Sequence, residues 1–427
     1  MTEILFFFLV TICAWLLWAA VYNLRKFCEF PTLIAALYAG FVLPQAHQLL
    51  KDPAAPQDDL SKVLVIAIGL LGATILGWRL AAFQRGKLTF AVYNETQLRW
   101  AVVGASLVGA IFSIWLRRLP SELTGVSQWT GVPTILYFFS KFQILAFAIS
   151  LLCYLRSYDR NFLYWALFNA AFIVPAALLD ARRESTVEIA LIVIIAGWFA
   201  RRQLPSRLIL LGGGAVAAIL VSSISQVRRI IFQTNEDGIR VRGTFSVEEL
   251  LKIDPFASDV MPLYTELGNA VRVVGAVDAS GGHTWGLRIW DTFVFNYVPG
   301  QWLGYETKRS LQIFDQGVPQ SANVKTDLGT VITAFADTFE AFGYAAPLIY
   351  LIVGFAYGWL FRLAMAGSLF HQYFYLIALS AGLISITHGF LVFPARLPAL
   401  VVFSLFIFGF LKRRRIAIGR RSHSVRP

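Results

Sequence analysis

Long apolar runs constrain this chain more than any other feature of its sequence. A bilayer core about 30 Å thick takes roughly 20 mostly apolar residues per helical crossing. About eleven stretches of the 427-residue sequence come near that length, at residues 2–22, 31–50, 63–82, 100–116, 133–155, 162–179, 182–200, 206–225, 341–361, 371–391 and 396–411. In lipid a backbone amide finds no partner outside its own helix or a closed sheet, so runs of this length become helices. The expected fold class is an all-α polytopic membrane protein. Composition agrees, since 57% hydrophobic residues, 15% charged residues and a mean hydropathy of +0.63 exclude an ordinary soluble globule. The first run has neither a basic start nor a small-residue cleavage site, so it is expected to stay as a span.

The net charge of +12 does not point to nucleic acid, because the cations follow the spans. Alternate loops carry them: Arg25 and Lys26; Arg79, Arg85, Lys87 and Arg99; Arg156 and Arg160; Arg201, Arg202 and Arg207; Arg362; and the tail KRRRIAIGRR. The positive-inside bias makes those loops cytoplasmic, with the N-terminus outside and the C-terminus in the cytoplasm. Cys13 and Cys153 fall inside spans and Cys28 beside a loop, a spacing that suggests neither an exported disulfide nor a metal site.

Four regions follow: an N-terminal bundle of about eight spans over 1–225, an extracytoplasmic segment over 226–336, three spans over 337–411 and a basic cytoplasmic tail over 412–427. The external segment holds 12 of the 25 acidic and 10 of the 37 basic residues, a balance that suits a folded polar layer. Within it Ser246 precedes Glu249 at capping-box spacing. Val260, Leu263, Tyr264, Leu267 and Val271 recur at helical spacing and predict an apolar face against the bundle or the bilayer surface. DASGGHTWG predicts a glycine-rich turn. There is no visible inverted repeat of the kind secondary transporters carry.

Two arginines, Arg182 and Arg183, adjoin the run that begins at Ser185. That run is short of a full span, so the helix is expected to begin earlier and to carry the pair in its first turn at the outer interface. One reading is an ion-pair network with Asp180, Glu184 and Glu188. The other is an anion site, in which guanidinium forks and free helix N-terminal amides meet a phosphate or diphosphate. Arg117 and Arg118, Asp337 and Glu340, His388, and Arg396 in FPARLP gather at the same depth, and Lys141 in YFFSKFQIL lies inside a span. Charges massed at one interface fit a protein that handles an amphiphile there.

The distal pattern is VPGQWLGYETK, then DLGTVITAFADTFEAFGYAAPLIYLIVGFAYGWLFR, then two spans and a basic tail. It resembles the bacterial oligosaccharide repeat-unit polymerases, the O-antigen polymerases. The matching features are a large late periplasmic loop, an arginine at the outer start of a middle span (Arg182 or Arg183), and an acidic residue, Asp337, shortly before an FG pair, Phe342 and Gly343. Where related proteins carry a proline followed by a basic residue, this loop has VPGQW, with its basic pair at Lys308 and Arg309. The resemblance implies a GT-C-like bundle in the bacterial inner membrane. It implies a metal-independent glycosyltransferase, without cofactor, that polymerises polyprenyl-diphosphate-linked oligosaccharides as donor and acceptor. A chain-length regulator and a flippase are its implied partners. Diphosphate contacts would fall first to Arg183 and Arg182, then to Arg288, Lys308, Arg309 and Arg396. The base would be Asp291, Glu306, Asp337 or His283. A ligase-like glycan transferase, a transporter or flippase of a lipid-linked glycan, and a structural or sensory subunit are the competing readings.

Overall fold

The structure is a computed structural model, and it describes residues 1–83, 89–119, 132–179, 183–202, 206, 212, 232–234, 240–242, 265–298, 300–314, 331–411 and 413–417. The first half runs α1 (Thr2–Tyr22), α2 (Phe30–Leu37), α3 (Leu43–Lys51), α4 (Gln57–Phe83), β1 (Thr89–Tyr93), α5 (Glu95–Arg117), α6 (Val132–Ser140), α7 (Phe142–Ser157), α8 (Arg160–Leu179) and α9 (Arg183–Arg201). The second runs β2 (Phe232–Thr234), β3 (Arg240–Arg242), α10 (Glu266–Ser280), α11 (Leu287–Tyr297), α12 (Gly300–Leu303), α13 (Tyr305–Ser310), α14 (Ala334–Phe342), α15 (Pro347–Met365), α16 (Leu369–His388), α17 (Val392–Phe408) and β4 (Arg413–Ala417).

Among the described residues, seven helical stretches are long and apolar enough to cross a membrane: Thr2–Tyr22, Phe30–Lys51, Gln57–Phe83, Glu95–Arg117, Val132–Ser157, Pro347–Met365 and Leu369–His388. α17 is a shorter apolar helix, and α8 and α9 are helices where two more spans were expected. The run at 206–225 lies outside the described residues except for Ser206 and Gly212. The second stretch is not a uniform helix. Pro44 has no N–H to give the preceding turn, and the backbone widens into a π turn at Tyr38–Val42, where Leu43 N–H reaches Tyr38.

The tightest seam joins α4 and α15 through small residues. A Cβ on Gly77 would run into Leu351 and stand 2.7 Å from Phe355 N, and one on Gly354 would run into Thr74 and stand 2.8 Å from its Cα. Gly69 meets Pro347 and Gly358 meets Ala81, so the two helices run parallel. Lipid tails are as apolar as leucine, so close backbone approach of this kind is a main source of helix association. Gly354→Val is therefore expected to lower stability by about 1–3 kcal/mol. Gly72→Ala on the same α4, where a Cβ meets nothing within 4 Å, should be neutral or stabilising. Thermal unfolding of the two variants in detergent checks this, and equal shifts would remove the seam argument. A polar clip adds to the bundle: Gln143 Nε2 donates to Asn169 Oδ1 (2.8 Å), and Asn169 Nδ2 donates to Ser106 Oγ (2.9 Å), tying α7, α8 and α5.

At one end of the bundle arginines satisfy helix C-terminal carbonyls, which have no partner within their own helix. Arg362 donates to the Ala81 carbonyl, Arg202 to Met365 (2.5 Å), and Arg156 to Gly367 (3.3 Å) and Gln372 (2.9 Å). There β1 pairs antiparallel with β4, Thr89 opposite Ala417 and Tyr93 opposite Arg413. The cation-rich loop after α4 and the segment after α17 thus share one end. At the other end α10 lies across the entry to α4. Gln45 Nε2 donates to Glu266 (3.1 Å), and Lys62 bridges Asp59 (3.0 Å) and Asp278 (2.6 Å). Leu267, Ala270, Val271, Val274 and Val277 are buried, so the expected apolar face exists from Leu267 onward. Val260, Leu263, Tyr264 and the Ser246–Glu249 box lie outside the described residues.

Candidate functional site

The turn after α10 and the FG pair of α14 form one unit. Gly281 (φ +64°) closes α10 and Gly286 (φ +78°) opens α11, both in the left-handed region that glycine tolerates. Phe342 lies against Gly286, and Gly343 (φ +56°) lies against His283, whose Nε2 would be 2.9 Å from a Cβ there. The Thr284 N–H donates to the Glu340 carbonyl (2.9 Å). His283 packs edge-on to Phe339 (5.5 Å between centroids) and to Trp285 (5.9 Å). Its Nδ1 is buried without a hydrogen-bond partner among the described residues.

Arg288, in the first turn of α11, reaches α14. It pairs with Glu340, which is 1% exposed, and its guanidinium stands 3.7 Å from Asp337. Asp337 and Glu340 are three apart, so one face of α14 presents both carboxyls. The Asp337 carboxyl rests on the turn between α16 and α17. It abuts Gly389 (φ +91°), where any Cβ would collide with it. Burial raises the Asp337 carboxyl to about 7; Arg288 lowers it against that trend and Glu340 adds to the rise. A carboxyl that titrates there can exchange a proton near neutrality.

A second group flanks the same turn. Arg396 bonds Glu184 at 2.5 Å, Glu188 accepts from Ser380 Oγ at 2.7 Å, and Lys141 lies within electrostatic reach of both carboxylates. Lys141 stands at the break between α6 and α7, its Nζ 4.7 Å from the Tyr137 ring centre. Glu184 and Glu188 thus meet Arg396, Ser380 and Lys141 from elsewhere in the bundle. The helix includes Arg183, one of the two arginines that span length places in its first turn. The Arg183 side chain, Arg182 and Asp180 lie outside the described residues.

The structure brings together four sequence-stated candidates around α14 and the turn at 389–391: His283, Arg288, Asp337 and, through Glu184, Arg396. It employs the others differently. Both oxygens of Asp291 accept backbone N–H groups, from Ile313 (2.7 Å) and Phe314 (2.8 Å), so its carboxylate organises a turn. Lys308 donates to the Phe295 carbonyl at 2.7 Å, and burial lowers its amine. Glu306 and Arg309 are exposed on α13. Sequence reasoning passed over Gly389, whose signal was a glycine directly after His388, and Glu340 as the partner of Arg288, whose signal was its i, i+3 spacing from Asp337. No family model, curated protein or solved structure matches the chain.

Proposed function

We propose that the protein is an inner-membrane glycosyltransferase that polymerises polyprenyl-diphosphate-linked oligosaccharide repeat units on the outer face of the bacterial cytoplasmic membrane. The observation that carries this reading is the buried Asp337 carboxyl, raised to about 7, beside the Arg288–Glu340 pair at one end of a bundle of apolar helices. An acceptor sugar hydroxyl would attack the anomeric carbon of the donor glycan. The new C–O bond forms as the bond to the diphosphate breaks, the hydroxyl proton passes to Asp337, and the electron pair leaves with the lipid diphosphate. Arg288 and Arg396 are the described cations that would meet the developing charge, without cost of reorganisation at the moment of reaction. His283, with its unpaired ring nitrogen, would orient the acceptor.

The proposed architecture is an eleven-span, GT-C-like bundle with the N-terminus outside. Two end assignments support an odd number of crossings between α9 and α10. Arg202 stands at the end where it caps Met365, and Glu266 at the opposite end beside Gln45. The apolar run 206–225 falls in that interval.

Reconstitution with lipid-linked repeat units tests the proposal. The expected product is a ladder of progressively longer glycans on the same lipid. A single transfer onto a different lipid would mark a ligase, and movement of the lipid-linked glycan across the vesicle without any glycan product would select a flippase.

A further inference from the structure

Helix α11 is amphipathic in the reverse sense for a helix packed on protein in water. Ile289, Phe293 and Tyr297 and Leu287, Trp290 and Val294 share one face at helical spacing, while Arg288, Asp291 and Thr292 lie opposite. The polar face is engaged by protein, Arg288 with Glu340 and Asp291 with the backbone of Ile313 and Phe314, and at the border of the apolar face the Trp290 Nε1–H donates to the Leu311 carbonyl (2.9 Å). Part of the apolar face is open: Val294 is buried, but Leu287 is 44% exposed, Trp290 48% and Phe293 42%, with the last two rings stacked at 6.0 Å. Exposed aromatics grouped like this mark an interaction surface.

We infer that α11 is an interfacial helix that lies in the lipid headgroup layer with Leu287, Trp290 and Phe293 in the bilayer. The occupant is identified by continuity and by charge. Tyr297 donates to the Ala395 carbonyl, so α11 adjoins the start of α17, whose Val401, Val402 and Leu405 are exposed farther along the same apolar helix. α15 likewise carries an exposed stripe of Leu348, Ile352 and Trp359, continued by Tyr344 just before it. The lipid-facing surface of the spans therefore leads up to the level of α11. Lys308, bonded to the Phe295 carbonyl and 5.0 Å from that ring's centre, places a cation against an aromatic residue of the same helix, the combination found where a membrane meets water. The helix holds Arg288 and the carboxyls of α14 directly under the headgroup layer.

Site-directed spin labelling tests this independently of any enzymatic activity. Cys13, Cys28 and Cys153 are all buried, so their replacement by alanine gives a background for single cysteines. Leu287→Cys, Trp290→Cys and Phe293→Cys, each with a nitroxide, are placed in full-length protein in phosphatidylglycerol-containing vesicles, with Glu306→Cys as the water-facing control. The expected result is a ratio of oxygen to nickel-chelate collision several times higher at 287, 290 and 293 than at 306. A ratio equal to that at 306 would overturn the inference, and so would labels shielded from both reagents, which would mean a protein partner. If Trp290→Cys does not assemble, Leu287→Cys reports on the same face with a smaller loss of packing.

Discussion

Asp337→Asn is expected to lower turnover of lipid-linked repeat units by about 10²–10⁴-fold, the range of a lost general base. The amide keeps the shape beside Gly389 and removes the proton acceptor. The same change should leave the fold intact, and the pH dependence explains why. Burial raises the Asp337 carboxyl to about 7, so the folded chain holds a proton there that the unfolded chain has already released. Stability from this group is therefore full at pH values below the ordinary carboxyl range and declines as pH rises toward 7. Above about 7 the decline levels off. Activity runs the other way, because only the carboxylate accepts a proton, so turnover in the parent should rise through about pH 7. At pH 8 the Asn variant should unfold at a temperature equal to or above that of the parent while making no ladder. Parent-level turnover in Asp337→Asn would remove Asp337 from the role of base.

Arg288→Met should produce the largest loss of stability at the site. Glu340 is 1% exposed and takes its charge compensation from Arg288. Removing the guanidinium takes away the cation paired with this buried carboxylate, and breaking pairs of this kind costs about 3–5 kcal/mol. The double variant Arg288→Met/Glu340→Leu should recover most of that loss, since an apolar pair of similar volume often replaces a buried ion pair without penalty. Activity should not recover, because the proposed diphosphate contact is gone in both. Unfolding temperatures of the four proteins of this cycle, measured in one detergent, decide the matter. Equal temperatures for the parent and Arg288→Met would show that the pair does not hold α11 to α14.

Much of the fold was legible because a bilayer imposes a length rule. The apolar runs within the described residues fall on helices, and the shortness of the run after Ser185 explains why α9 takes in Arg183. The π turn at Tyr38–Val42 was less visible, since its cause is one proline in an otherwise ordinary apolar run. The site was legible in parts. Asp337 and Arg396 stand out as polar residues beside apolar runs, His283 as a histidine in a glycine-rich turn, and Arg288 only through the resemblance. Their partners depend on which helices meet, and hydropathy carries no information about that. Glu184 and Glu188 also face Arg396 and Ser380 across the bundle, contacts that no sequence spacing displays. Asp291 seemed equal to Asp337 by type and location. Only the fold distinguishes a carboxylate whose oxygens accept two backbone amides from one that is buried over a glycine.

The seam between α4 and α15 has a consequence for how the chain assembles as it is made. Gly77 and Gly354 are 277 positions apart in the sequence, so α4 enters the membrane long before its partner exists. At about 5–20 residues per second, translation takes roughly 15–55 s to cover that distance. For that interval the glycine groove of α4 faces lipid or a temporary neighbour. Any other small-residue helix present in the membrane competes for it, and late arrival of α15 is the step at which the bundle becomes committed to its final packing.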